Sequence, residues 1–509
     1  MKDKTECLIF GPPGCGKTYT LMEIIRKELS NGTPPDRIAF VSFSRKAIHE
    51  ARERAGAAFN LKEIDVPFFR TLHSMGFQLL GLRKEEIIGI YDLKQIGAEM
   101  GMVFDNRNVY DEDGVLQMSA KEGNKYLTLI NRSQMRCVTL DQEYNDNGDH
   151  SIKWPLLQKL DVIYNKYKEQ TGKHDFTDMI RLMVERELSP RIDVLIVDEA
   201  QDLTPLQWQQ VNVLKKHAKR IWYAGDDDQA IFRYTGVDVR YMLGVTENTR
   251  VLQQSYRVPK SVHDLAAKLA KRISVRQPKE WKSTDHDGEI HHHMSVDEID
   301  MNQGSWTIMS RTTKNLNMLS DTLRQDGVIY TKNGTLSFDE GLLNSMRVWQ
   351  DLQNGELITA DEAKILYENC PKRGEKATVK AGMSKTLDEL DHNQPVSFAE
   401  LKDNHGLLAP KEMDAEDVVN LSTDDRQYLG AIKRRGKITT APAVKLSTIH
   451  RMKGGEDENI VLLSDMGFMP YKTLQENPDD EHRVFYTAVT RTKKNLHIVD
   501  SESRYRYDL

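Results

Sequence analysis

Gly11-Pro12-Pro13-Gly14-Cys15-Gly16-Lys17-Thr18 carries the spacing GxxxxGK[ST], directly after an apolar run. Glycines at those places let backbone N–H groups close on phosphate oxygens. The lysine reaches the terminal phosphates, and the hydroxyl of Thr18 holds Mg²⁺. A second apolar run, Val194–Val197, ends in Asp198-Glu199. Acids at the carboxyl end of a buried strand stand where ligands of parallel sheets bind. Asp198 is expected to hold Mg²⁺ through water, and Glu199 to orient and deprotonate an attacking water. This chemistry is hydrolysis of a nucleoside triphosphate, and it needs positive charge where negative charge develops. Composition alone does not say which arginines supply that charge.

Groups so far apart in sequence need a scaffold. Cys7–Phe10, Ile38–Phe43, Val194–Val197 and Ile221–Ala224 are apolar runs of strand length. Helical patterns such as Ser44–Ala57 and Pro205–Ala218 follow them. A second set comprises Thr307–Ser310, Val444–Ile449, Ile460–Leu463 and Leu496–Val499. Strands separated by helices predict an α/β fold with parallel sheets. Two polar stretches break this rhythm and read as insertions. One lies near 80–170, mainly helical in pattern with a loop-like Asp141–Asp149. The other lies near 350–440, with turn signals at Asn354-Gly355 and Arg373-Gly374.

The chain has 509 residues, 29% of them charged and 39% hydrophobic, and a net charge of −6. It is therefore globular and multidomain, and no bulk polycation, although a local basic groove remains compatible with that charge. Cys7, Cys15, Cys137 and Cys370 form no CxxC pair, so structural zinc and a disulfide framework are not expected. No apolar run has the length of a membrane span, and nothing before Gly11 resembles a signal peptide. The expected setting is cytoplasmic, either the bacterial cytosol or an infected host cell. His291-His292-His293 cannot all face one ion on a strand or loop and reads as solvated surface.

Further motifs follow in order. They are Val41-Ser42-Phe43-Ser44-Arg45-Lys46-Ala47, Thr71-Leu72-His73-Ser74, Asp175-Phe176-Thr177-Asp178 and Asp198-Glu199-Ala200-Gln201-Asp202. After them come Gly225–Phe232, Gln254-Ser255-Tyr256-Arg257, Thr448–Glu456 and Tyr486–Arg491. With Gly11–Thr18, this ordered set resembles the motifs of superfamily 1 helicases of the UvrD/Rep/PcrA type.

The resemblance implies two RecA-like P-loop domains, each carrying a mainly helical or mixed insertion. The expected layout is domain 1A over 1–75 and 173–255, with insertion 1B over 76–172. Domain 2A then covers 256–349 and 442–509, with insertion 2B over 350–441. ATP is expected in the cleft between 1A and 2A. Domain 1A would supply Lys17, Thr18, Asp198, Glu199 and the γ-phosphate sensor Gln229. Domain 2A would supply Arg257, Arg491 and the ribose contact Glu456. Tyr256 matches a residue that stacks on the adenine, and Tyr19 follows the phosphate loop directly. Single-stranded DNA and duplex–single-strand junctions are the implied substrates. Phe43, Phe232 and Tyr234 fall at base-stacking positions, and Ser44, Arg45, His73, Thr448 and His450 near the DNA backbone. The implied activity is ATP-dependent translocation on single-stranded DNA and unwinding, 3′ to 5′, in replication, repair or recombination. Single-strand-binding or replication proteins stand open as partners.

The chain departs from the family in several places. No glutamine precedes Gly11, where the family carries an adenine-reading motif, so weak base selectivity is expected. Tyr19 stands where arginine is common, and Tyr234-Thr235 where a Trp-Arg pair is usual. The expected 2B insertion is short, and little follows Arg491. Two other readings remain open at this stage. One is a translocase that displaces bound proteins with little unwinding. The other is a non-catalytic, nucleotide-gated DNA-binding subunit, against which Lys17, Glu199 and Arg491 argue.

Overall fold

The computed structural model describes residues 4–105, 121–147, 151–435, 442 and 444–509. Contacts divide the chain into two units. The first comprises 1–289 and 469–494 with the terminal Leu509, and the second 290–468 and 495–508.

The first unit is built on six strands: β1 (Thr5–Phe10), β2 (Ile38–Ser42), β3 (Phe69–Thr71), β4 (Val194–Asp198), β5 (Arg220–Gly225) and β6 (Thr249–Val251). Their order is β3-β2-β4-β5-β1-β6, and every pairing is parallel. The central strands are apolar throughout because helices cover both faces of such a sheet. Ile9, Phe40, Phe69 and Ile196 form part of that core. A parallel sheet aligns all its carboxyl ends, so the segments after Phe10, Ser42, Asp198 and Gly225 emerge along one edge. The insertion contributes helices Ile90–Met100, Glu122–Arg136, Leu140–Asn147 and Trp154–Thr171 around their own apolar core.

The second unit carries β7 (Glu289–His293), β8 (Trp306–Ser310), β9 (Tyr330–Lys332), β10 (Thr335–Leu336), β11 (Ile358–Thr359), β12 (Pro395–Val396), β13 (Val444–Thr448), β14 (Asp457–Leu463) and β15 (Thr492–Val499). Seven of these form one sheet in the order β10-β9-β13-β8-β14-β15-β7, and β11 pairs with β12. The pairings β13–β8, β13–β9 and β14–β8 are parallel. Residues 329–432 build a separate core around Trp349 and Tyr367.

Three details depart from the sequence reading. The stretch expected as loop-like Asp141–Asp149 is helical over Leu140–Asn147, and 148–149 lie outside the described residues. The Thr139 hydroxyl caps that helix, and Glu143 is fixed by Arg132 and Arg136. The three histidines are not simply solvated. His291 and His293 share one face of β7 and pack with the His497 ring at 4.8 and 5.2 Å, while His292 pairs with Asp500. Segments 256–289 and 469–494, expected in domain 2A, group by contacts with the first unit, where Tyr256 N–H donates to the Gly14 carbonyl and Arg483 to the Asp227 carbonyl. Residues 436–441 of the expected 2B insertion lie outside the described residues.

Candidate active site

The phosphate loop begins where β1 ends. Gly11 N–H donates to the Gly225 carbonyl at 3.0 Å, fixing the loop to the end of β5. Gly14 and Gly16 both take φ of 73°, a left-handed conformation that favours glycine. A Cβ on Gly14 would lie 2.4 Å from that of Arg257. Ser255 donates its hydroxyl to the Pro13 carbonyl at 2.7 Å, and Tyr256 N–H donates to the Gly14 carbonyl at 2.9 Å. The Gln254–Arg257 segment is therefore bolted onto the loop. Gly16 caps helix Lys17–Ser30, whose amino end offers N–H groups to an anion. Lys17 donates its ammonium back to the Gly11 carbonyl at 2.9 Å, and Thr18 lies half-buried beside it.

Asp198 ends β4 and is buried. Burial and the neighbouring Glu199 push its carboxyl up to about 7, against the pull of Lys17. A divalent cation there would relieve that repulsion, so Asp198 with the Thr18 hydroxyl fits a Mg²⁺ site. Glu199 sits at φ 50°, and its N–H donates to Asp198 Oδ1 at 2.9 Å. Gln201 donates its amide to Glu199 and accepts the Asp226 N–H at 3.0 Å. Gln201 thus ties the end of β4 to the end of β5, a role the sequence reading did not assign.

Gln229 is buried one short turn after β5. Its amide nitrogen donates to Asp226 Oδ2 at 2.7 Å, and its oxygen accepts from the guanidinium of Arg491. Arg491 lies just past helix Pro478–Val489, after its cap Thr490, and also donates to the Thr487 carbonyl at 3.0 Å. Burial and Arg257 lower the pKa of Arg491 to about 9, with Glu199 opposing. Lys17, Arg257 and Arg491 therefore gather positive charge around the phosphate loop.

Tyr19 and Tyr256 are open, at 65% and 77% exposure, so both rings can take a planar group. Phe43 and Phe232 are buried and stack on each other at 5.7 Å, with Tyr234 edge-on to Phe232. Ser44 caps helix Arg45–Phe59 by accepting Ala47 N–H at 3.1 Å, and Arg45 is exposed. His73 is buried. Desolvation, then Arg45, lower it to about 4, so its imidazole is neutral near pH 7. In the second unit, Glu456 is exposed, while Thr448 and His450 are half-buried at and just after the end of β13.

Residues 1–250 match the UvrD/REP helicase N-terminal domain, and 416–503 match the UvrD-like helicase C-terminal domain. The chain belongs to the UvrD/Rep/PcrA type of superfamily 1 helicases. The ATP-dependent DNA helicase PcrA of Staphylococcus epidermidis RP62A is 22% identical, covering 98% of this chain and 81% of that protein. PcrA of Staphylococcus aureus Mu50 gives the same identity and coverage. A solved structure, that of the PRRSV helicase, covers 97% of this chain and 52% of its own at TM-score 0.35 and 8% identity, too distant to carry an argument. This UvrD-type chain is an ATP-dependent DNA helicase, and its two large, mainly parallel sheets are the RecA-like domains of that family. Among the described residues no helix is long and apolar enough to cross a membrane.

Proposed function

We propose that the chain translocates 3′ to 5′ along single-stranded DNA and separates strands at duplex junctions, in a cytosolic setting, driven by ATP hydrolysis at the phosphate loop. The observation that carries this reading is the convergence of Lys17, Asp198, Glu199, Gln229, Arg257 and Arg491 around one sheet edge. Lys17 and the loop N–H groups bind the phosphates, and Thr18 and Asp198 hold Mg²⁺, which neutralises charge on the phosphate oxygens when bound. Glu199 takes the proton of the attacking water. Arg257 and Arg491 meet charge developing at the γ-phosphate, and Gln229 orients Arg491. Tyr256 and Tyr19 receive the base, and Glu456 the ribose.

Phe43, Phe232 and Tyr234 form the ledge for bases, with Ser44, Arg45, His73, Thr448 and His450 beside the strand. Stacking gives about 1–3 kcal/mol per base without reading sequence. Opening a duplex step costs on average about 1.4 kcal/mol, well within one ATP. Strand separation on 3′-tailed and 5′-tailed duplexes tests polarity. Unwinding of the 3′-tailed substrate with ATP is expected, and unwinding of only the 5′-tailed substrate overturns the reading.

A further inference from the structure

Asp226, Asp227 and Asp228 follow β5 in succession, are all buried, and lie close enough together to resemble a cation site. A protein cation already fills it. The side chain of Lys279, 0% exposed, places its ammonium 3.1 Å from Asp226 and 2.9 Å from Asp228, and also pairs with Asp227. Arg276 forks onto Asp228 at 2.7 and 2.6 Å. Asp227 further accepts Gln277 N–H at 2.7 Å, and its carbonyl accepts Arg483 Nε at 2.9 Å. Burial alone would drive the proton off Lys279, but the three carboxylates outweigh it and hold its pKa above the usual lysine range.

A buried lysine contributes little net stability against an apolar residue of its size, since desolvation consumes the attraction. What the arrangement does supply is direction. Asp226 has two carboxylate oxygens: Oδ1 faces Lys279 and Oδ2 accepts the Gln229 amide nitrogen. With the nitrogen fixed there, the oxygen of the same amide is turned to Arg491. The Lys279 ammonium also lies 5.5 Å from the centre of the Phe10 ring, the residue before the phosphate loop.

We propose that Lys279 is a positioning residue for ATP hydrolysis: through Asp226 it sets the orientation of the Gln229 amide and hence the place of Arg491. This rests on the roles of Gln229 and Arg491 given above. Lys279 itself touches none of the reacting groups. Misplacement of a catalytic group by about 1 Å can cost a hundredfold in rate, so the effect belongs in kcat and not in nucleotide affinity.

The test is a double-mutant cycle on the full chain, read as DNA-stimulated ATP hydrolysis and as binding of a non-hydrolysable ATP analogue. Lys279→Met is expected to lower kcat about tenfold or more, with analogue Kd changed less than about threefold. In a Gln229→Ala background the same change is expected to cost less than about twofold, because the group it positions is gone. Should Lys279→Met fail to fold, Asp227→Asn/Lys279→Met restores the charge balance, and the same two readouts are taken against Asp227→Asn. A wild-type kcat in a folded Lys279 variant, equal losses in both backgrounds, or parallel losses of kcat and affinity overturn the proposal. A wild-type rate in Gln229→Ala alone instead brings down the role of Gln229 beneath it, a result distinct from a Lys279 variant that has no effect.

Discussion

The side-chain oxygen of Gln229 accepts a hydrogen bond from the guanidinium of Arg491, 262 residues further along the chain. The other end of the same amide is held by Asp226. The residue that would sense the γ-phosphate and an arginine that would stabilise it are thus joined in one hydrogen-bonded unit.

Arg491→Ala is expected to reduce DNA-stimulated ATP turnover by about 10³-fold while changing nucleotide affinity only modestly, because such an arginine acts chiefly on the transition state. Steady-state kinetics with a separate binding titration separates the two. Lost affinity with kcat intact makes Arg491 a ground-state contact.

Gln201→Leu removes the link between Glu199 and the Asp226 N–H. It leaves a buried donor unsatisfied, worth about 1–3 kcal/mol, and frees the Glu199 side chain. We expect a loss in kcat greater than the loss in thermal stability can explain, measured by comparing turnover and melting in one preparation. Unchanged kcat in a destabilised protein would show that Gln201 is only structural.

The sequence reading located the main strands and the phosphate loop because both are local signals: an apolar run followed by turn-forming glycines needs no tertiary knowledge. It missed β3, β6, β9 and β10, runs of two or three residues that are strands only because a neighbour pairs with them. Lys279 was invisible for a related reason. It lies in the polar-looking Arg276-Gln277-Pro278-Lys279, and only the fold brings its charge against three carboxylates fifty residues earlier. Gln201 stood inside a recognised motif, but nothing in one strand end announces that it reaches the next.

Lys168 is buried and pairs with Asp175 and Asp178, each at 2.8 Å. Lys168→Met is expected to destabilise helices Trp154–Thr171 and Phe176–Glu185 by about 3–5 kcal/mol, by leaving two buried carboxylates without their lysine. Burial would raise the Asp178 carboxyl, but Lys168 and Arg181 prevail and hold it below its usual range. A depressed carboxyl contributes stability above its unfolded pKa of about 3.9 and loses it as pH falls through the folded value. Without Lys168, burial raises the carboxyl in the variant, so protonation relieves the variant first, and the difference between wild type and variant should be largest near pH 7 and shrink steadily on acidification. Amide hydrogen exchange of the two helices across that range checks it, and a difference that grows on acidification contradicts it.

Tyr234→Ala should weaken single-stranded DNA binding by about 1–3 kcal/mol, equally for oligonucleotides of different sequence, since stacking is blind to base identity. Fluorescence anisotropy on dT and mixed-sequence strands reads both the size and the uniformity. A loss confined to one sequence would mean that Tyr234 reads base edges.

The most direct measurement is ATP turnover of wild type and Glu199→Gln, with and without single-stranded DNA, alongside nucleotide and DNA binding. Wild type should hydrolyse ATP with strong stimulation by DNA. Glu199→Gln should bind both ligands normally yet lose turnover by about 10²–10⁴-fold, because a neutral amide cannot accept the proton of the attacking water. Near wild-type turnover in the variant, with or without DNA, contradicts the account.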